Sequence, residues 1–318
     1  MISRLLFSNV MIRAGNNIEM LEWLDSIEVE CDMKILGGHA AEHNSRAVLE
    51  WMLVQFDDFE LSSYHLNFTI SHPDLFHWMH EEKHISFNYV TMYCIAQSGN
   101  MELLQSMAEN GEDIDNKLLS AAAQNGSMKM VRWLRDEWGL EWAPQVCEMA
   151  ATGGHLSLLQ YLRSEGCEWD SDTTYQAAIK GHLSVLQWAV ENDCPLKYET
   201  IMLGIVASRG HVDVLQFLYN RNPKLFLCNL SETDAVGKAA RNGHLSVLQF
   251  LYPLWPTHYS TVLLQAARGH TPLTLMIVRW TIEHTVWKGC IAPLELYREN
   301  MRLDVIKYLE EEGLMKKK

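Results

Sequence analysis

The spacing of apolar residues along the chain is helical, and it recurs. Segments reading GHLSLLQYL from Gly154, GHLSVLQWA from Gly181, GHVDVLQFL from Gly210 and GHLSVLQFL from Gly243 carry the same pattern. If the residue after each glycine (His155, His182, His211, His244) is taken as an anchor, apolar pairs stand three and four places later, as in Val185 and Leu186. An aromatic follows at the sixth place in Trp23, Trp51, Trp78, Trp133, Tyr161, Trp188, Phe217, Phe250 and Tyr308, with Ser106 and Met276 as exceptions. Such i, i+3 spacing predicts an amphipathic helix of about ten residues, its aromatic column in the core. Glycines ten or eleven places past the anchor, such as Gly111 and Gly166, mark its end, because glycine enters the left-handed region at little cost.

Small residues five and four places before the anchor, in Ala122 and Ala123, Ala150 and Ala151, Ala177 and Ala178, and Ala239 and Ala240, predict a first, shorter helix that approaches its neighbours closely. Asp115, Asp170 and Ser171 are capping types at its start. Weaker segments fit the frame with anchors at Asn17, Ser45, His72, Asn100, Ser127, His270 and Arg302, a period of about 27 or 28 residues that loosens after position 211. The chain therefore reads as an all-α helix-turn-helix repeat solenoid of about eleven helix pairs, in one continuous domain over residues 1–318. Residues 1–35 form an N-terminal capping unit, and 285–318 an irregular C-terminal capping unit with a basic tail. A helix pair of this size cannot bury its apolar face alone, so neighbouring units must stack. The segments near 222–232 and 285–293 depart from the period and read as irregular loops.

The string Ala239-Ala240-Arg241-Asn242-Gly243-His244-Leu245-Ser246-Val247-Leu248-Gln249-Phe250-Leu251 resembles the second half of an ankyrin repeat. The Thr-Pro-Leu-His start of the usual first helix is absent, its place held by Asp172-Thr173-Thr174-Tyr175 or Gln145-Val146-Cys147-Glu148, and the loop is too short for a well-formed β-hairpin finger. The short period, with Gly166-Cys167-Glu168-Trp169 and Cys194-Pro195 after the second helix, is similar to divergent ankyrin proteins of large DNA viruses of amoebae and algae and of some protists. The resemblance runs from about residue 8 to 314 and is strongest from 118 to 252. It implies a non-catalytic protein-protein interaction scaffold that binds a protein partner through its concave face and loops, working as a monomer. The alternative is a structural component of an assembly such as a virion.

Charge narrows the partners. Against 26 Lys and Arg stand 40 Asp and Glu, a formal charge of −14, and the basic residues are not gathered on one segment apart from Lys316, Lys317 and Lys318. Such a chain repels phosphate backbones and anionic membrane surfaces, so no nucleic acid and no membrane is expected as partner. No apolar run approaches the roughly 20 residues of a membrane span. Seven cysteines without a CxxC pair suit free thiols in a reducing compartment, and a cytoplasmic location is expected, in the host if the chain is viral. The N-terminal MISRLLFSNVMIRAG faintly suggests a transit peptide, but it aligns with the first helix of a repeat and is read so.

One motif points elsewhere. His80-Glu81-Glu82-Lys83-His84 satisfies H-E-x-x-H, the zinc hydrolase pattern in which two histidines share a helical face. The repeat frame puts His80 near a helix end and His84 beyond it, so the rings should not converge. The anchor histidines are replaced by Asn100, Ser45 and Ser127 in the same column, which suits a hydrogen bond to the backbone of the turn or of the next unit better than a metal ligand. No catalytic residue, no metal, no cofactor and no small-molecule substrate is expected. Seven places before the anchor, Tyr93, Ser120, Glu148, Tyr175, Gly204 and Gly237 vary while their neighbours do not. Tyr93, Glu148 and Tyr175, with nearby Lys180 and Arg209, are the candidate partner-binding residues.

Overall fold

The computed structural model describes residue 18 and residues 32–316, apart from 110, 112–113, 197–199, 232, 255–261, 270 and 285–297. Among these residues there are helices and turns but no strand. The chain divides into two compact units, Met1–Trp142 and Ala143–Lys318.

The first unit holds α1 (Met33–Glu42), α2 (Arg46–Gln55), the short α3 (Ser63–Leu66), α4 (Pro73–His77), α5 (Tyr89–Ser98), α6 (Met101–Glu109), α7 (Asn116–Asn125) and α8 (Met128–Asp136). A π-helical turn, Trp78–Glu82, extends α4. The second unit holds α9 (Pro144–Gly153), α10 (Leu156–Ser164), α11 (Ser171–Lys180), α12 (Leu183–Glu191), α13 (Thr200–Arg209), α14 (Val212–Arg221), α15 (Pro223–Ser231), α16 (Ala235–Asn242), α17 (Leu245–Leu251), α18 (Val262–Ala267), α19 (Thr274–His284) and α20 (Leu303–Glu311). Within each unit the first helices of successive pairs lie side by side, α5 on α7 in one and α9 on α11, α11 on α13, α13 on α16 and α16 on α18 in the other. Second helices make their own row, α10 against α12 and α14 against α17. This is an all-α stack of helix pairs, the expected class.

Local chemistry explains each boundary. Asp115 and Asp170 cap α7 and α11, each carboxylate accepting from an amide at 2.9 Å, so Asp170 rather than Ser171 is the cap. First helices such as α7, α9 and α11 are ten residues long, one residue longer than their second helices α8, α10 and α12 rather than shorter. Each ends at the repeat glycine: Gly126, Gly154, Gly181, Gly210 and Gly243 have φ between 77° and 91°. One residue on, the anchor amide closes the turn onto the carbonyl five places back, His182 to Ala177 at 2.9 Å and His155 to Ala150 at 3.0 Å. The anchor carbonyl then takes the first bond of the second helix, from Leu186 to His182 at 3.0 Å.

The core lies on the third, fourth and seventh places after the anchor, the third held by Met130, Val185, Val214 and Val247, all 0% exposed. Leu49 and Met52, Val131 and Leu134, Leu159 and Leu162, Leu186 and Ala189, Leu215 and Leu218, and Leu248 and Leu251 are all 0% exposed. The aromatic column was expected there too. Of its described members only Trp78 is buried, at 2% exposure; Trp51, Trp133, Tyr161, Trp188, Phe217, Phe250 and Tyr308 are half-buried, and Trp23 lies outside the described residues. At about 100° per residue, the sixth position lies at the edge of this stripe, some 60° beyond the third place, so these rings close the flank of each layer. Trp188 meets Trp169 edge-on at 5.6 Å, and Trp133 meets Trp138 at 6.2 Å.

The segment near 222–232, expected to be an irregular loop, is the helix α15. Pro223 opens it, the Asn222 Oδ1 accepts the Leu225 amide at 3.0 Å, and Phe226 and Leu230 are 0% exposed. The Phe226 ring packs against Tyr219 at 5.6 Å and Phe250 at 6.5 Å, which accounts for the longer period here. Most of the expected N-terminal capping unit, and the stretch 285–293, lie outside the described residues.

Candidate protein-binding surface

The anchor histidines are structural, and they act backwards along the chain. His182 Nε2 donates to the Thr152 carbonyl at 3.1 Å, His244 Nε2 to the Ser208 carbonyl at 2.9 Å, and His72 Nε2 to the Glu42 carbonyl at 2.9 Å. Each acceptor lies in the last turn of the preceding first helix, where carbonyls have no partner inside the helix. The sequence expectation placed this bond in the turn or the next unit; it runs to the previous one. The glycines make room for it. A Cβ on Gly154 would stand 2.6 Å from His182 Nδ1, one on Gly181 2.4 Å from His211 Nδ1, and one on Gly210 2.5 Å from His244 Nδ1. In the rung of His211, the Ile179 carbonyl is taken instead by the Arg209 guanidinium, at 2.5 Å. Burial is the main reason that His211 titrates below its usual 6.5, with Arg209, His182 and His244 adding repulsion against the attraction of Asp213.

This frame holds one face of the first helices at fixed geometry. On it, Glu148 is half-buried and accepts from Gln176 Nε2 at 3.1 Å, joining α9 to α11. Burial raises the Glu148 carboxyl, the Gln176 bond lowers it, and the charges of Asp172 and Asp170 raise it further. Tyr175 is half-buried; Lys180 and Arg209 are exposed at the C-terminal ends of α11 and α13. Tyr93, in the first unit, is half-buried with its ring 6.4 Å from that of Tyr89, over which Lys117 Nζ sits at 4.6 Å. Gln97 donates to Gln124 at 3.0 Å across α5 and α7. Of the same column, Gly204 and Gly237 are buried: a Cβ at 237 would stand 2.2 Å from the Asp234 carboxylate. Part of this column's variation therefore reflects packing.

A more exposed column lies one turn nearer the helix start, ten places before the anchor, in Val90, Lys117, Gln145, Asp172, Ile201 and Asp234. All are exposed, Ile201 to 69% and Val90 to 50%, with Tyr89 beside it at 47%. The column was readable from the repeat frame, since it changes chemistry at each step, but its exposure required the helix start to be placed.

The two histidines of the H-E-x-x-H segment do not share a helical face. His80 Nδ1 donates to the Ile85 carbonyl at 3.0 Å and its ring lies 4.0 Å from that of Phe87. His84 has left the helix, with φ of 55°. Among the described residues no group of three or more His, Cys, Asp and Glu is placed to hold a metal ion. Nor is any described helix long and apolar enough to cross a membrane.

The family model described as ankyrin repeats (many copies) matches residues 204–251, the stretch from α13 to α17. That match supports the ankyrin-repeat superfamily. No curated protein matches the chain significantly.

Proposed function

We propose that this chain is a non-catalytic, monomeric scaffold that binds a protein partner through the face of its first helices and the loops before them. The observation that carries this reading is the exposed column at the helix starts of the second unit, where Gln145, Asp172 and Ile201 replace one another at the second residue of α9, α11 and α13. A packing position holds its residue type from unit to unit, as the fourth and seventh places do; a position free to change is available for recognition. Tyr175 and Glu148 supply half-buried contact area between those ends, and Lys180 a charge at the far end of α11. Exposed Tyr89 and Val90, with Tyr93, form the corresponding surface in the first unit. The net charge of −14 favours a partner with a basic surface over nucleic acid or an anionic membrane. The short period supports kinship with the divergent ankyrin proteins of large DNA viruses and protists, and a cytoplasmic site of action fits the free thiols.

Affinity purification from the native cell with mass spectrometry, run beside a variant carrying Asp172→Lys, Lys180→Glu and Ile201→Lys, tests the reading. All three side chains are exposed, so the core is untouched. Proteins recovered with the wild type and lost with the variant are the expected result. Recovery of the same set from both, or of the chain itself as the main companion, would overturn it in favour of a structural component of an assembly.

A further inference from the structure

Two cysteines of the second unit face one another. Cys147 lies in α9, eight places before its anchor, and Cys167 lies in the loop after α10, twelve places beyond it. The Cys147 thiol donates to the Cys167 sulfur with the two sulfurs 3.4 Å apart, and both residues are 0% exposed. The repeat supplies an internal comparison. In the next unit the same two places hold Thr174 and Cys194, and there the hydroxyl donates to the Pro195 carbonyl at 2.7 Å and the thiol to the Asp170 carbonyl at 3.2 Å. Packing at this point therefore needs only one sulfur. The second thiol, at 147, is surplus to it.

We propose that Cys147 and Cys167 are an oxidisable dithiol, closed into an intramolecular disulfide by exchange with a small-molecule disulfide such as oxidised glutathione. The sulfurs must approach by about 1.4 Å to reach the roughly 2.05 Å of a disulfide. The loop that carries Cys167 is suited to that movement: Gly166 before it has φ of 81°, and Glu165, Gly166 and Glu168 are exposed. Exchange begins at Cys167. The hydrogen bond from Cys147 is the main influence favouring its thiolate, opposed by burial and assisted by Arg163, whose guanidinium donates to the Cys167 carbonyl at 2.5 Å. The same hydrogen bond, with burial, holds Cys147 protonated, and burial pushes Cys194 up to about 12, which removes it from competition.

The thiolate of Cys167, exposed by a transient opening of the loop, attacks one sulfur of glutathione disulfide; a protein–glutathione bond forms, the oxidant's S–S bond breaks, and one glutathione leaves. Cys147 then gives up its proton and attacks the Cys167 sulfur, displacing the second glutathione. Two protein thiols are oxidised, one small disulfide is reduced to two thiols, and the two protons leave on them. The bond fastens α9, next to Glu148, to the loop that leads into α11. The proposal does not depend on what the chain binds.

The test incubates the reduced full chain with oxidised glutathione, blocks the remaining thiols by alkylation, and maps the peptides by mass spectrometry. A cross-linked pair of peptides containing Cys147 and Cys167, lighter by two hydrogens, is expected in the wild type and in Cys194→Ala. Cys147→Thr, which borrows the residue of the matching place in the next unit, should keep the far-UV circular dichroism of the wild type and give no cross-link at Cys167. Alkylatable thiols at both positions, or a persistent adduct on wild-type Cys167 with no cross-link, would overturn the proposal. Should Cys147→Thr fail to fold, the wild-type and Cys194→Ala maps decide between these outcomes.

Discussion

At the scale of single residues, the repeat turn concentrates two demands on its glycine. Gly181 has φ of 82°, and a Cβ there would stand 2.4 Å from His211 Nδ1. Gly181→Ala is therefore expected to cost about 1–3 kcal/mol, as for a non-glycine residue forced into the left-handed region, read as a lowered urea midpoint. His211 adds a pH dependence. Its folded value lies below the ordinary 6.5, so the unfolded chain binds the proton more readily. The stability that neutral His211 contributes is present above about 6.5 and is lost as pH falls through the folded value. His211→Asn, the residue of the matching position Asn100, should flatten the urea midpoint's dependence on pH in that window. The structural role of these histidines was legible from their replacement by Asn and Ser. The identity of their acceptor was not, because a carbonyl in the preceding unit is set by how pairs stack.

At the scale of helices, burial separates positions that hydrophobicity alone had grouped. Leu186 is 0% exposed, whereas Trp188 is half-buried. Leu186→Ala is expected to cost about 2–5 kcal/mol, and Trp188→Ala roughly half the 3–5 kcal/mol of a fully buried aromatic. Denaturant unfolding of the two variants gives the order; a larger loss from Trp188→Ala would return the aromatic column to the core. The sequence pattern could not separate them, since an aromatic on the flank of a layer and one in its centre recur with the same period. The helix α15 was hidden for another reason. It breaks the period and so read as a loop, although Pro223, Leu225, Phe226 and Leu230 carry the signals of a helix start and an apolar face. Phe226→Ala should cost about 3–5 kcal/mol if that helix is part of the core; near-neutral unfolding would place it outside.

For the whole molecule, the period of the sequence was enough to give the all-α class, the helix-turn-helix unit and the location of most turns, because each of these is a local demand made many times over. The candidate surface was legible only in part. Glu148 and Tyr175 lie on the face of the first helices, but the fully exposed column begins one turn earlier, at Asp172 and Ile201, where the capping residue decides which side chains leave the stack. What the frame keeps constant maintains the fold; what it lets vary is available for recognition. The most direct test is a titration of the purified partner against the wild type and the Asp172→Lys, Lys180→Glu, Ile201→Lys variant, with a urea midpoint measured on each. An unchanged midpoint with affinity weakened at least ~10-fold, about 1.4 kcal/mol, is the expected result. Equal affinity at equal stability would contradict it.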